Sequence, residues 1–343
     1  MEEISAKSQM AKIRNFERGF VATHLINIGA KLDLFETLNR AKEGLTAQDL
    51  ASKLGLHETY VKTWCQTAYH YELLDAEEDG RFKLQPHLDE ILGDRSHFKN
   101  YLANIALAVD HMGKYFGDFP DYYRTGASLP SLYEADLSAA VSETTKNMHL
   151  VFSFMILPKN EDLRDKLSQG VRVLEIGCGH GNLIVQLAQA FPNSTFLGVD
   201  PDEHATRSAK EKIAQAGLQD RVSVECSGGE ELTFENEFDL VCSVVSVHEF
   251  LPSARKQVLA KAHQALKRDG QLLIIDFPYP AKLEDFRNPM YDMAILEQFV
   301  EICCGYVHLN TNERNDMLEQ VGFKDVQQKG VGKGMFELVM ATK

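Results

Sequence analysis

Val171 to Asn182 reads VRVLEIGCGHGN, and the fold follows from this stretch. An apolar run of β type, Val171 to Ile176, leads into three glycines on alternate positions, Gly177, Gly179 and Gly181. A helical pattern follows, with Leu183, Ile184, Leu187 and Ala190 on one side. The reading is strand, tight turn, helix. Such a turn needs residues without Cβ, because the backbone takes positive φ and lets a ligand approach the first amides of the helix. A second apolar run, Phe196 to Val199, ends in Asp200, nineteen residues after Gly181. A carboxylate at the tip of the neighbouring strand is where a doubly wound fold grips a ribose diol.

The spacing separates two nucleoside ligands. A dinucleotide turn wants its third glycine five residues after the first, where this chain has Asn182, so a nicotinamide cofactor is disfavoured. With Glu175 two residues before Gly177, the run resembles the first motif of class I S-adenosylmethionine methyltransferases, E/D-x-G-x-G-x-G, with that family's acidic second-strand tip at Asp200. The resemblance implies S-adenosylmethionine as cofactor and S-adenosylhomocysteine as product. It implies that Gly177, Gly179 and Gly181 hold the methionine part and Asp200 the ribose, while Glu175 supports the loop or meets the methionine amine.

Bulk composition sets outer limits. The 343 residues suggest two domains, and 25% charged with 44% hydrophobic residues is ordinary for a soluble globular protein. The start, MEEISAKSQM, lacks the basic-then-apolar pattern of a signal peptide, and no apolar run approaches membrane-spanning length, so no membrane partner and a cytoplasmic location are expected. Six cysteines (Cys65, Cys178, Cys226, Cys242, Cys303, Cys304) form neither a C-x-x-C nor a zinc-finger spacing and read as reduced thiols. A net charge of −14 opposes a polyanionic partner and favours a small-molecule substrate.

The first half of the chain reads as helices, then a winged helix. Helical periodicity runs over residues 10–44. Thr46 caps a short helix that Gly55 ends, residues 57–71 supply a second, and Leu73-Leu74-Asp75 and Phe82-Lys83-Leu84 flank the turn Glu78-Asp79-Gly80. From Leu45 to Leu84 there are seven acids against four bases, and the second helix offers only Lys62 as a cation. A DNA duplex would be repelled, which favours dimerisation over nucleic-acid reading. Residues 97–150 are again helical in pattern and carry His111, Met112, Tyr115, Phe116, Phe119, Tyr122, Tyr123, Tyr133 and Met148, mostly core, with some suited to pocket walls. Phe119 to Gly126, FPDYYRTG, resembles the aromatic–x–TG connector of small-molecule O-methyltransferases with an N-terminal winged-helix dimerisation domain, and a homodimer is what that resemblance implies.

Beyond the glycine turn, a strand over residues 221–225 ends in Cys226-Ser227-Gly228-Gly229. In the family this loop meets the adenine through an Asp that this chain lacks, so the contact falls to Ser227 and Gly228. A fourth strand, residues 238–245 and including the cofactor-site candidate Ser243, leads to His248-Glu249-Phe250; a helix and the turn Arg268-Asp269-Gly270 then precede a fifth strand that ends at Asp276. Both sites lie at strand carboxyl ends, where open α/β sheets bind ligands. The segment resembles the "hxxHDW" motif, which implies His248 as general base, Glu249 beside it and Asp276 orienting it. A hydroxyl at neutral pH is a poor nucleophile unless a base takes its proton, and imidazole is suited by its pKa.

One departure is His308, where the family shows a second acid. Beside the base His248 it suits a hydrogen bonder to the substrate, and with His248 and Glu249 or Asp276 it also suits a two-His, one-carboxylate metal site. The leading expectation holds no metal, and the alternatives are a metal-dependent C-methyltransferase of an α-keto acid and an S-adenosylmethionine-sensing winged-helix regulator. The expected architecture is α/β: a Rossmann-like sheet of seven strands with an antiparallel last hairpin, residues 155–343, preceded by a mainly helical winged-helix dimerisation and substrate-lid domain, residues 1–154.

Overall fold

A computed structural model describes residues 4–129 and 134–343; Tyr133 lies outside them. The chain divides into two compact units, Met1–Phe116 and Gly117–Lys343, so residues 117–154 group with the second unit.

The first unit opens with a long helix, Ala6–Lys31, capped by Ser5 through a reciprocal box with Ser8. Leu34–Arg40 follows, then the helices Ala47–Leu54 and Glu58–His70. Thr46 accepts from the Asp49 amide at 3.1 Å and Gly55 closes the helix in the left-handed region, as its cap residues dictate. The antiparallel hairpin β1 (Leu74–Ala76) and β2 (Phe82–Leu84) completes the wing. Leu34, Phe35, Leu38, Leu50, Cys65 and Leu74 form its core, and Trp64 donates its indole N–H to the Leu25 carbonyl at 3.0 Å. On the first helix Met10, Ile13, Phe16 and Phe20 recur at helical spacing, and each is more than half exposed.

The second unit is built on one sheet. Its strands are β3 (Arg172–Ile176), β4 (Thr195–Asp200), β5 (Val222–Cys226), β6 (Phe238–Val244), β7 (Leu266–Asp276), β8 (Lys324–Val331) and β9 (Phe336–Thr342). Their order is β5-β4-β3-β6-β7-β9-β8. The first five are parallel, whereas β9 runs antiparallel to both β7 and β8. Strand alternation splits the core in two: Val173 packs with Ile184, Leu187 and Phe196 on one face, while Leu174 and Ile176 pack with Val258, Leu259 and Ile274 on the other. Each fully buried leucine of this kind stabilises by about 1.5–3 kcal/mol.

Two local expectations shift. Arg268-Asp269-Gly270, read as a turn, lies inside β7, whose pairing with β6 skips register between Phe238 and Leu240 while Asp269 takes φ 63°. Helix over residues 97–150 is broken into short pieces, including Leu102–Ala106, Phe119–Thr125 and Ala135–Thr145, with Gly113, Gly117 and Gly126 between them. All six cysteines are free.

Candidate functional site

The glycine turn joins β3 to the helix Asn182–Ala190 with φ of 76°, 49° and 70° at Gly177, Gly179 and Gly181. A Cβ on Gly177 would stand 2.6 Å from Ser246, so no side chain fits there, whereas Gly179 faces open space on its Cβ side. The turn is fastened to β4: Gly177 and Cys178 donate to the Val199 carbonyl at 2.9 and 3.1 Å, and the Gly179 amide donates to Asp200 Oδ2 at 2.8 Å. Asp200 Oδ1 accepts from the Asp202 amide, and its carbonyl accepts from the Ser227 amide at 3.0 Å, which brings the adenine-loop candidates Ser227 and Gly228 beside the same tip.

Glu175 is 3% exposed, and its Oε2 lacks a hydrogen-bond partner. Burial, and then Asp200, push its carboxyl well above the usual carboxylate range. A buried acceptor with a spare lone pair beside an open glycine turn suits a ligand carrying an ammonium group, and the amides at the helix start suit a carboxylate. These residues therefore fit the amino-acid end of S-adenosylmethionine. Ser243 is buried, and its hydroxyl bonds Ser246 Oγ at 2.6 Å while Ser246 donates to the Ile176 carbonyl at 3.1 Å. Both hydroxyls thus fasten β6 to the turn. The helix Ala135–Thr145 reaches the turn as well, with Ser138 bonding His180 Nε2 at 3.0 Å and Asn182 donating to Ser142 at 3.3 Å.

The second cluster stands at the carboxyl ends of β6 and β7. Val245, just past β6, holds φ 53°, a conformation costly for a β-branched residue, and the chain then makes the short turn Val247–Glu249. That turn aims His248 at Asp276: Nδ1 and Oδ1 are 2.6 Å apart, and the His248 amide donates to Oδ2 at 3.0 Å. His308, 3% exposed, packs tilted against His248, ring centroids 4.6 Å apart and planes at 30°. Glu301 Oε2 stands 3.2 Å from His308 Nε2 and 3.7 Å from His248 Nε2, and Glu249 lies 3.9 Å from the same His248 nitrogen. Phe277 and Tyr279 flank the histidine pair.

Electrostatics follow from that crowding. Burial works against a charged His248, but Asp276, Glu301 and Glu249 overcome it and raise its pKa to about 10. Asp276 is held below its usual range, since His248 outweighs burial. Burial lifts half-buried Glu249 to about 8 despite His248, and Asp200 contributes to the rise, so the two clusters adjoin. Glu297 rises to about 7 through burial and its neighbour Glu301.

His248, Asp276, Glu249 and His308 are thus brought together, as are Glu175, the three glycines and Asp200. Glu297 and Glu301 escaped the sequence reading because the helix Asp292–Glu301 did. Their four-residue spacing, which sets both carboxyls on one helical face, was the available signal. Gln298 was missed for the same reason: it accepts from the His308 amide at 2.6 Å and donates to the Tyr306 carbonyl at 3.1 Å.

Comparison with known proteins agrees with this geometry. Residues 173–270 match the methyltransferase domain family, and residues 15–87 match the O-methyltransferase dimerisation domain family. An uncharacterised methyltransferase of Synechocystis is 30% identical over 176 residues, 51% of this chain and 77% of that protein. L-tyrosine C(3)-methyltransferase of Streptomyces lavendulae is 26% identical over 271 residues, 75% of this chain and 72% of its own. Human N-acetylserotonin methyltransferase, solved with S-adenosylmethionine, superposes with a TM-score of 0.76 over 100% of this chain and 99% of its own; at 14% identity the likeness is one of fold. A glycine turn fastened to an acidic strand tip, a sheet closed by an antiparallel hairpin and these matches lead to one conclusion: the chain belongs to the class I S-adenosylmethionine-dependent methyltransferases, built in the manner of the O-methyltransferases that carry an N-terminal dimerisation domain.

Proposed function

We propose that this methyltransferase acts on a hydroxyl of a small-molecule acceptor, with His248 as general base and Asp276 as the group that orients it. The carrying observation is the 2.6 Å contact between His248 Nδ1 and Asp276, which turns Nε2 away from the carboxylate and toward Glu301 and Glu249. Glu175, Gly177, Gly179, Gly181 and Asp200, with Ser227 and Gly228 at the adenine end, would hold S-adenosylmethionine, which when bound supplies an electrophilic methyl on a sulfonium. In the neutral imidazole Asp276 keeps the remaining proton on Nδ1, leaving Nε2 to take the acceptor's hydroxyl proton as the new O–C bond forms. Because three carboxylates keep His248 protonated up to about pH 10, turnover should climb with pH through the neutral range. A homodimer is supported by the dimerisation match and by the exposed apolar face of Met10, Ile13, Phe16 and Phe20. The test is a screen of phenols, catechols, keto acids and thiols with labelled S-adenosylmethionine, repeated with His248→Ala. Undiminished turnover in the variant would remove His248 from the chemistry and leave proximity as the main effect.

A second reading is favoured by one observation. Ligand atoms of His248, Glu301 and His308 all lie within 4.8 Å of one another, a two-His, one-carboxylate set with Asp276 behind the first imidazole. These residues fit a divalent transition metal, which would chelate an α-keto acid for C-methylation and remove His248 as a base. Metal analysis separates the two: stoichiometric iron or zinc that is lost in His308→Ala selects the metal reading, and full turnover after chelation selects the base.

A further inference from the structure

Arg255 is 2% exposed, in the first turn of the helix Pro252–Ala265. Among the described residues no carboxylate pairs with it; Asp276 and Glu313 only favour its charge from a distance, and burial pushes its proton affinity down. Its Nε has no partner. Its Nη2 instead meets three carbonyls: His248 at 3.0 Å, Phe250 at 2.8 Å and Val307 at 2.6 Å. The first two belong to the loop that carries His248, the third to the loop that carries His308.

We propose that Arg255 is a positioning residue for the reaction, one guanidinium nitrogen binding the His248 loop to the His308 loop and thereby setting the tilted packing of the two imidazoles. Burying a guanidinium without a counter-carboxylate is costly, and its contacts with three carbonyls offset that cost while joining the two loops. The His308 loop is gripped at three consecutive residues: Gln298 holds the Tyr306 carbonyl and the His308 amide, and Arg255 holds the Val307 carbonyl between them. Of these grips, the one from Arg255 is also the tie to the His248 loop. Lysine would keep the charge, but its flexible stem lacks the rigid planar group that fixes Nη2 against all three carbonyls at once. The catalytic side of this inference rests on the proposed methyl transfer, while the geometric side does not.

The test uses full-length protein labelled at the histidine ring carbons, as native chain, Arg255→Lys and Arg255→Met. The measurement is cross-relaxation between the His248 and His308 rings by NMR, assigned with His248→Gln and His308→Asn. Calorimetry with S-adenosylhomocysteine serves as the control for an intact cradle. Both Arg255 variants should bind S-adenosylhomocysteine within about twofold of the native chain yet lose the ring-to-ring signal. With any acceptor found by the screen, kcat should fall by about a hundredfold at little changed KM, as a misplacement of an ångström costs. Arg255→Lys keeps charge and stem volume, so the test survives if Arg255→Met does not fold. An unchanged ring-to-ring signal in Arg255→Lys would overturn the proposal whatever the acceptor screen returns, and a lost signal alongside undiminished kcat would reduce Arg255 to a structural tie.

Discussion

Replacing Asp276 by asparagine isolates what a carboxylate at Nδ1 does to His248. Burial disfavours the imidazolium, yet Asp276, Glu301 and Glu249 raise the pKa to about 10 from 6.5. With Oδ1 2.6 Å from Nδ1, the centres of the two delocalised charges are about 4 Å apart, and at an effective dielectric of about 20 their attraction is about 4 kcal/mol. At about 1.4 kcal/mol per pKa unit this is about 3 units, so Asp276→Asn should bring His248 to about 7. The assay is an NMR titration of the ring Cε1 signal in both chains. The sign carries over to stability. A folded pKa above the unfolded one means that the bound proton stabilises the native state, fully below about pH 6.5, and that this contribution is lost as pH rises through about 10. The native catalytic unit should therefore lose about 1.4 kcal/mol per pH unit across that window, and the variant should stop losing near pH 7. Glu301, Glu249 and His308 also face His248, with Glu297 behind Glu301; Glu249 and Glu297 rise to about 8 and 7 and add to the slope, and because Glu249 feels both Asp276 and His248, the NMR titration of the His248 ring is the deciding readout. A native His248 titrating near 6.5, or one that Asp276→Asn fails to move, would refute the reasoning.

Four further outcomes are expected. Glu175, with its raised proton affinity, should release a proton when S-adenosylhomocysteine binds, visible as a buffer-dependent calorimetric heat near neutral pH, and Glu175→Gln should lose that dependence and about tenfold or more in affinity. Gly177→Ala combines positive φ with a Cβ 2.6 Å from Ser246, and thermal unfolding should report a loss of about 2 kcal/mol or more. Val245→Gly relieves a strained φ of 53° and should raise the melting temperature, by about 1 kcal/mol in stability, while the ring signals of His248 broaden. Finally, the pH–rate profile of native enzyme should rise through the neutral range, and a bell centred near pH 6 would argue for a different base.

How much of this was legible beforehand differs by element. Glu175, the glycines and Asp200 declare themselves because positive φ and close approach restrict residue choice so severely. His248 and Asp276 could be located because both lie at the carboxyl ends of parallel strands, His248 just past β6 and Asp276 at the end of β7. By contrast, Glu301 and Arg255 act through contacts that join distant stretches of chain: Val307 is 52 residues from Arg255, and nothing local marks a buried arginine that bonds only carbonyls. The helix Asp292–Glu301 was missed because Leu296 and Phe299 face outward, blurring its apolar stripe. The broken helices of residues 97–150 show the opposite error, since apolar spacing continued where glycines interrupted the backbone.

The position of β3 bears on how the protein is made. It is the first strand of its sheet in the chain, yet it sits between β4 and β6, with Val173 opposite Leu240. During synthesis β4 can pair at once, but the other flank of β3 must wait until β6 emerges, and loop closure over such a span is slow. In that interval Val173, Leu174 and Ile176 border an open edge that invites pairing with other nascent chains. Aggregation during expression should therefore respond more to slower translation or chaperone supply than to substitutions on the finished surface.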